Sequence, residues 1–240
     1  MTDLSIIIPC RDEEENVNTI YENIIKKIKT ENYQIIFIND FSSDNTENKI
    51  KKLSSNDKKI FLYNNAKKGL GGAIDLGLKK SMGKFITILM ADSADSIDDL
   101  NNYIKIMNEE KCDAVFGSRF ISGGKTVEYP LIKLIFNRFG NNLARLLFLS
   151  NYNDFTNSFK IYKKEVIQHF FPLVSEDFNI FLELPLKTIS RGFKFKIIPI
   201  KYYNRTVGTA KFKIKELGSR YLFTLLYCFI EKILLNKKIK

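Results

Sequence analysis

The 240-residue chain has no tryptophan, one histidine, three cysteines and five prolines. The lone His169 cannot build a histidine cluster for a metal, and Cys10, Cys112 and Cys228 have no C-x-x-C spacing. Their odd number and wide separation suit reduced thiols in a cytosol better than a disulfide framework. The apolar run from Tyr221 to Ile230 stops at Glu231, short of the roughly twenty residues that cross a bilayer. At the N-terminus, "MTDLSIIIPC" enters a strand pattern without a preceding basic stretch, so no signal peptide is expected. No G-x-x-x-x-G-K-[ST] loop is present, and "GLGGA" is neither a full G-x-G-x-x-G nor placed after the first strand. ATPase and dehydrogenase readings lose their main support, and no repeat or low-complexity linker divides the chain.

What the chain does have is enough apolar content, 45%, for a full core, and a formal charge of +11. That charge is uneven: residues 201–240 hold ten Lys or Arg against two Glu. A basic patch of this kind faces nucleic acid, anionic lipid or another polyanion. The Tyr, Phe and Leu interleaved in "YLFTLLYCFIEKILLNKKIK" favour lipid over nucleic acid, as an amphipathic helix lying on a membrane surface. The competing reading is a helix packed on the domain's own core.

Through the first half, short Ile, Phe and Val runs alternate with helical patterns: "LSIIIP", "YQIIFIND", "KIFLYN", "KFITILM" and "DAVFGS" are separated by four amphipathic segments. Nearly continuous apolar strands separated by helices predict an α/β, doubly wound, mostly parallel sheet covered on both faces. Ligands of such sheets collect outside the carboxyl ends of the strands. The candidate site therefore lies in "CRDEE", "NDFSSD", "ADSAD" and "GSRF". The second half is read as a helix over "YPLIKLIFNRFGNNLARLLFLS", a strand and turn in "DFTNSFKIYKKEV", a helix over "EDFNIFLELPLKTISRG" and an extended "FKFKIIPIKYYNRTVG". One domain over residues 1–212 followed by a basic helical tail over 213–240 is expected.

The acids in "ILMADSADSIDDL" divide into two groups. Ser96 is a good N-cap, and Asp98 and Asp99 fall in a first turn where the helix dipole favours negative charge. Asp92 and Asp95 need another reason. Acids and fixed cations at one sheet edge suit Mg2+ or Mn2+ bridging a diphosphate, an arrangement that needs only one or two protein carboxylates.

These segments resemble family-2 glycosyltransferases of the GT-A fold, in the dolichol-phosphate mannose synthase-like branch. "IIIPCRDEEENV" is similar to that branch's opening motif, "NDFSSDNT" to its acidic turn and "KKGLGGAIDLGL" to its Gly-rich helix entry. "FGSRF" with "SGG", "DFTNSFKIY" and "NRTVGTAKF" follow in the family's order. The resemblance implies an inverting transfer from a UDP- or GDP-linked nucleotide sugar to a polyprenyl phosphate, at the cytoplasmic face of a membrane. It also leaves a place for a membrane-embedded partner protein.

On that resemblance the donor lies near Pro9, Arg11, Asp12, Glu13, Asp40, Lys67 and Gly71. Asp92 is the principal metal ligand, with Asp95 second. Arg205 and Lys211 add positive charge from a closing loop. Arg119 and Arg138 hold the acceptor phosphate, to which guanidinium is matched. Asp154 and Glu183 are the candidate bases if the acceptor is instead a hydroxyl of a polysaccharide or lipid-linked saccharide. The chain departs from the family pattern at Met90, Ala94 and Asn39, where an acid, an amide and an acid are usual. Met90 cannot bind a hard cation, which keeps open a third reading, a non-catalytic nucleotide-sugar or lipid-binding scaffold. The Leu and Phe stripe from Leu131 to Leu149 is read as core or membrane-facing, and Gly69, Gly71 and Gly72 as a tight strand-to-helix passage rather than a phosphate cradle.

Overall fold

The computed structural model describes residues 2–127, 130–203 and 214–235. In chain order the elements are β1 (Leu4–Cys10), α1 (Val17–Lys27), β2 (Tyr33–Asn39), α2 (Thr46–Asn56), β3 (Ile60–Asn64), α3 (Leu70–Lys80), β4 (Phe85–Ile88), α4 (Ile97–Glu109) and β5 (Ala114–Ser118). They continue as β6 (Lys125–Val127), α5 (Leu131–Phe148), β7 (Lys160–Lys163), α6 (Lys164–Gln168), α7 (Ile180–Ser190), β8 (Phe195–Pro199), β9 (Lys201–Tyr203) and α8 (Ile214–Leu234). A seven-stranded sheet has the order β3-β2-β1-β4-β7-β5-β8, and β6 pairs with β9 in a second, two-stranded sheet.

Every residue of β1 is buried, because alternate side chains feed two cores. Ile7 joins Ile36, Ile38 and Phe116 beneath α3, α5, α7 and α8. Leu4, Ile6 and Ile8 join Ile35 and Phe37 beneath α1, α2 and α4. This is the expected sheet with helices on both faces. Pro9 sits in a central strand without breaking it, since the β1–β4 ladder runs only to Ile7 paired with Ile88.

One strand departs from the parallel pattern. The chain returns from α5 at the carboxyl edge, so β7 enters the sheet running backwards, antiparallel to both β4 and β5. Ile161 lies opposite both Thr87 and Val115, and Thr87 Oγ1 donates to Lys160 O at 2.9 Å.

α8 both docks and remains open. Thr224, Leu225 and Cys228 are buried, and Arg191 on the α7 side pairs with Glu231 at 2.7 Å. Its other face exposes Leu222, Phe223, Leu226, Ile230 and Ile233. The boundary expected at residue 212 lies outside the described residues.

α7 is buried over most of its length and holds an internal ion pair, Glu183 with Lys187 at 2.8 Å, both fully enclosed. Lys187 Nζ also donates to Phe170 O at 2.7 Å. Removing one partner leaves a buried charge uncompensated. Lys187→Met is therefore expected to lower stability by about 3–5 kcal/mol, read as a drop in urea midpoint with an unchanged slope.

Candidate active site

At the carboxyl edge, the turns after β1 and β2 are bonded to each other. Asp12 N–H donates to Ser42 Oγ at 3.1 Å, and Asp12 Oδ1 accepts from Ser43 N–H at 2.7 Å. Glu13 N–H donates to Thr46 Oγ1 at 2.8 Å, and Glu13 Oε2 accepts from Asn16 Nδ2 at 2.6 Å. Asp40 is buried beside them, with Oδ1 accepting from Asn65 Nδ2 at 2.7 Å and from Gly69 N–H at 2.9 Å, while Oδ2 lies 3.9 Å from Arg11 Nη1. Lys67 pairs with Glu176 at 3.0 Å on the rim. Asp12 and Phe41 have left-handed backbones, φ +54° and +57°, and Ser93 in the third turn has +56°. Non-glycine residues rarely adopt this conformation, and it clusters at functional sites.

The turn after β4 carries the acids. Asp92 Oδ1 accepts from Ala94 N–H at 3.2 Å, and Ser96 Oγ caps α4 by accepting from Asp99 N–H at 3.3 Å, as expected for a helix start. Asp95 Oδ2 and Ser93 Oγ are buried without a hydrogen-bond partner. Burial, and next the charge of Asp92, push the Asp95 carboxyl up to about 7. Two acids crowded together, one with an orphaned oxygen, fit a divalent cation better than they fit each other. The same turn supplies no third acid: among the described residues no group of three His, Cys, Asp or Glu gathers. Asp92 with Asp95 therefore suits a cation completed by substrate phosphate oxygens.

After β5, Arg119 is buried and bidentate on Asp154, Nε to Oδ2 at 2.8 Å and Nη2 to Oδ1 at 2.6 Å. Arg119 N–H also donates to Asp154 Oδ2 at 2.9 Å. Its guanidinium stacks between Phe120 and Tyr202, 5.2 and 5.4 Å from the ring centres, and Arg138 covers Phe120 at 4.3 Å. Arg138 Nη1 donates to Asn153 O at 3.2 Å. Below them Lys160 is fully buried, donating to Phe155 O and Asn157 O, and burial brings its ammonium down to about 7.

This geometry bears on four of the expected residues. Asp154 has both oxygens committed to Arg119, so it is not placed to take a proton from a hydroxyl. Glu183 is enclosed and accepts from Val174 and Ser175 N–H at 2.9 and 2.8 Å besides pairing with Lys187, so it does not face an acceptor. Gly71 N–H donates to Glu176 O at 3.0 Å, within the strand-to-helix passage read there. Arg119, expected to face the acceptor directly, is instead turned inward onto Asp154. Arg205 and Lys211 lie outside the described residues. Sequence reasoning missed Asn65, which ties Asp40 to Lys67 O at 2.6 Å, and Phe41, a half-exposed ring beside Asp40. A polar Asn just past β3 was the available signal for the first. An aromatic in an otherwise polar turn was the signal for the second.

A mostly parallel sheet with a polar carboxyl edge and paired acids after the fourth strand defines a nucleotide-sugar-type GT-A domain. The chain belongs to glycosyl transferase family 2, whose family description matches residues 5–171. Among curated proteins it is 26% identical over 216 residues to a dolichol-phosphate mannosyltransferase of Pyrococcus furiosus, covering 89% of this chain and 60% of that protein. It is 24% identical over 232 residues to a polyprenol monophosphomannose synthase of Mycolicibacterium smegmatis, covering 90% of this chain and 86% of that one. The chain thus spans about three fifths of the archaeal protein's length and most of the bacterial one's. Among solved structures, glucosyl-3-phosphoglycerate synthase from Mycobacterium tuberculosis, with Mn2+, UDP and glucosyl-3-phosphoglycerate, superposes with a TM-score of 0.71 at 14% identity. That match covers 95% of this chain and 80% of the other and establishes the GT-A fold.

The Asp95 carboxyl gives a pH dependence of known sign. Its folded value lies above the ordinary 3.8, so ionising it costs stability that is lost progressively from about pH 4 and fully by pH values above about 7. With a chelator present, Asp95→Asn is expected to melt several degrees above wild type at pH 8 and close to it at pH 4, as read by thermal denaturation.

Proposed function

We propose that the protein transfers a sugar from a nucleotide-sugar donor to a polyprenyl phosphate at a membrane surface. The observation that carries this reading is the charge state of the acceptor side. Its two acids are committed internally, Asp154 to Arg119 and Glu183 to Lys187 and the 174–175 backbone, while Arg138 stands over Phe120 with its guanidinium half-buried. Among the described residues, this environment of guanidinium with its acids Asp154 and Glu183 committed elsewhere suits an acceptor that is already anionic. The names of both curated relatives, a dolichol-phosphate and a polyprenol-monophosphate mannose transferase, support the same choice.

In this reading Asp40, Asn65, Lys67 and Arg11 receive the nucleoside, with the Phe41 ring as a stacking surface. Asp92, helped by Asp95, would hold Mg2+ or Mn2+, which when bound neutralises charge on the donor diphosphate. Arg138 orients the acceptor phosphate, and Arg119, pinned by Asp154, keeps Phe120 and the start of the acceptor side in place. A phosphate oxygen forms the new bond to the anomeric carbon as the carbon–oxygen bond to the diphosphate breaks, inverting the centre. The nucleoside diphosphate leaves with the electron pair, and no proton needs to move. Arg205 and Lys211 are assigned to the leaving diphosphate.

The membrane contact is assigned to α5 and α8. α5 exposes Leu131, Ile135, Phe136, Phe139 and Leu146, and α8 exposes Leu222, Phe223, Leu226, Ile230 and Ile233. The two helices meet where Phe148 packs edge-on to Phe229 and Lys232 Nζ donates to Phe148 O. No described helix is long and apolar enough to cross a membrane, and an apolar face with basic residues such as Arg145 and Arg220 nearby fits an interfacial position.

Two experiments test this. Nucleoside diphosphate release should require polyprenyl phosphate; Arg138→Ala should raise the acceptor KM by roughly 10- to 100-fold, the worth of a charge-assisted hydrogen bond, with donor KM little changed. Equal release with a saccharide acceptor contradicts the reading. Sedimentation with anionic vesicles should weaken by roughly tenfold or more in Phe139→Ser/Phe223→Ser, which removes two large apolar side chains from the face.

A further inference from the structure

Two of the three glycines of "KKGLGGA", Gly69 and Gly71, are explained by what lies across them. A Cβ on Gly71 would stand 2.1 Å from Ser175 O, and one on Gly69 2.6 Å from Glu176 O. Residues 174–177 therefore run over the entry to α3 as a strap at main-chain contact, closed by Gly71 N–H to Glu176 O at 3.0 Å and by the Lys67–Glu176 pair. The entry it covers is the part that reaches Asp40, through Gly69 N–H and Asn65.

The strap is held from behind by two elements. Glu183 of α7 accepts from Val174 and Ser175 N–H. Thr224 of α8, fully buried, accepts from Asn179 Nδ2 at 2.9 Å and shares a hydrogen bond with Ser175 Oγ at 3.4 Å. α8 is thus linked to the Gly69–Gly71 turn through Thr224, Ser175 and the strap.

We infer that Thr224 is a positioning residue for nucleotide binding: by fixing the 174–177 strap it sets the Gly69–Gly71 turn that holds Asp40 and Lys67 toward the nucleoside. The inference rests on the donor site proposed above. Because the link is mechanical, its loss weakens the nucleotide end of the site and leaves the Arg138 end alone.

The test uses the full chain and titration calorimetry with UDP and GDP in the presence of Mn2+, at a temperature where circular dichroism shows each variant folded. Thr224→Val, which keeps shape and removes the hydroxyl, is expected to weaken binding of the preferred nucleotide by roughly 3- to 10-fold, the worth of one or two hydrogen bonds. Thr224→Ser should restore it, and the KM for polyprenyl phosphate should stay at the wild-type value. Ser175→Ala, which removes only the hydroxyl facing Thr224, should shift binding in the same direction if Thr224→Val does not fold. Wild-type nucleotide affinity in the folded Thr224→Val or Ser175→Ala variant, or an equal loss at the acceptor, overturns the inference. Binding of neither nucleotide by the wild type would instead overturn the donor site itself.

Discussion

Six strands running one way, the central four of them buried on both faces, leave this chain one edge at which polar side chains can gather. β1, β2, β4 and β5 are buried almost throughout, so the polar residues that follow them gather at the same edge. Three of the turns there use a left-handed non-glycine residue, at Asp12, Phe41 and Ser93. The sheet supplies the rigidity that makes those conformations affordable. Even the reversed strand β7 serves the edge, because it starts at Lys160 and anchors the 153–157 turn against β4 and β5.

Charge is then sorted along that edge. Asp92 and Asp95 sit in the turn after β4, in the middle, and the Asp95 carboxyl is raised by burial and by the charge of Asp92. To one side the acids are outward-bonded and mixed with amides around Asp40. To the other, cations dominate: Arg119 is neutralised by Asp154, and Arg138 is layered over the same aromatic ring. A buried ion pair contributes little net stability, and its retention here fits a role in fixing shape. Met90 stands where the family pattern has an acid, so one hard ligand is missing from this turn.

Much of the layout was legible in the sequence. Runs such as "YQIIFIND" and "KFITILM" announce parallel strands because they lack alternation, and Ser96 ahead of Asp98 and Asp99 marks the start of α4. Polar clusters after strands identify the edge. What the sequence hid were pairings between distant segments. "DFTNSFKIYKKEV" reads as a strand, but nothing local says that it inserts between β4 and β5. Asp154 and Glu183 look like candidate bases until their partners, Arg119 and the 174–175 backbone, are seen. The glycines of "KKGLGGA" read as a tight turn, which accounts for Gly72 against Lys67 O, but only the crossing strap explains why a side chain is excluded at Gly69 and Gly71. Amphipathicity marked α8, yet a single helix could be both docked through Thr224 and Cys228 and exposed through Phe223 and Ile230.

The central claim is that this edge is a nucleotide-sugar site with its cation on Asp92. The location of a nucleoside diphosphate in a crystal soaked with Mn2+ tests it most directly. The account predicts the base beside Asp40 and Phe41 and the anomalous signal of Mn2+ between the diphosphate and Asp92. A nucleotide seated away from the Asp40 turn, or Mn2+ bound without contact to Asp92, would contradict it.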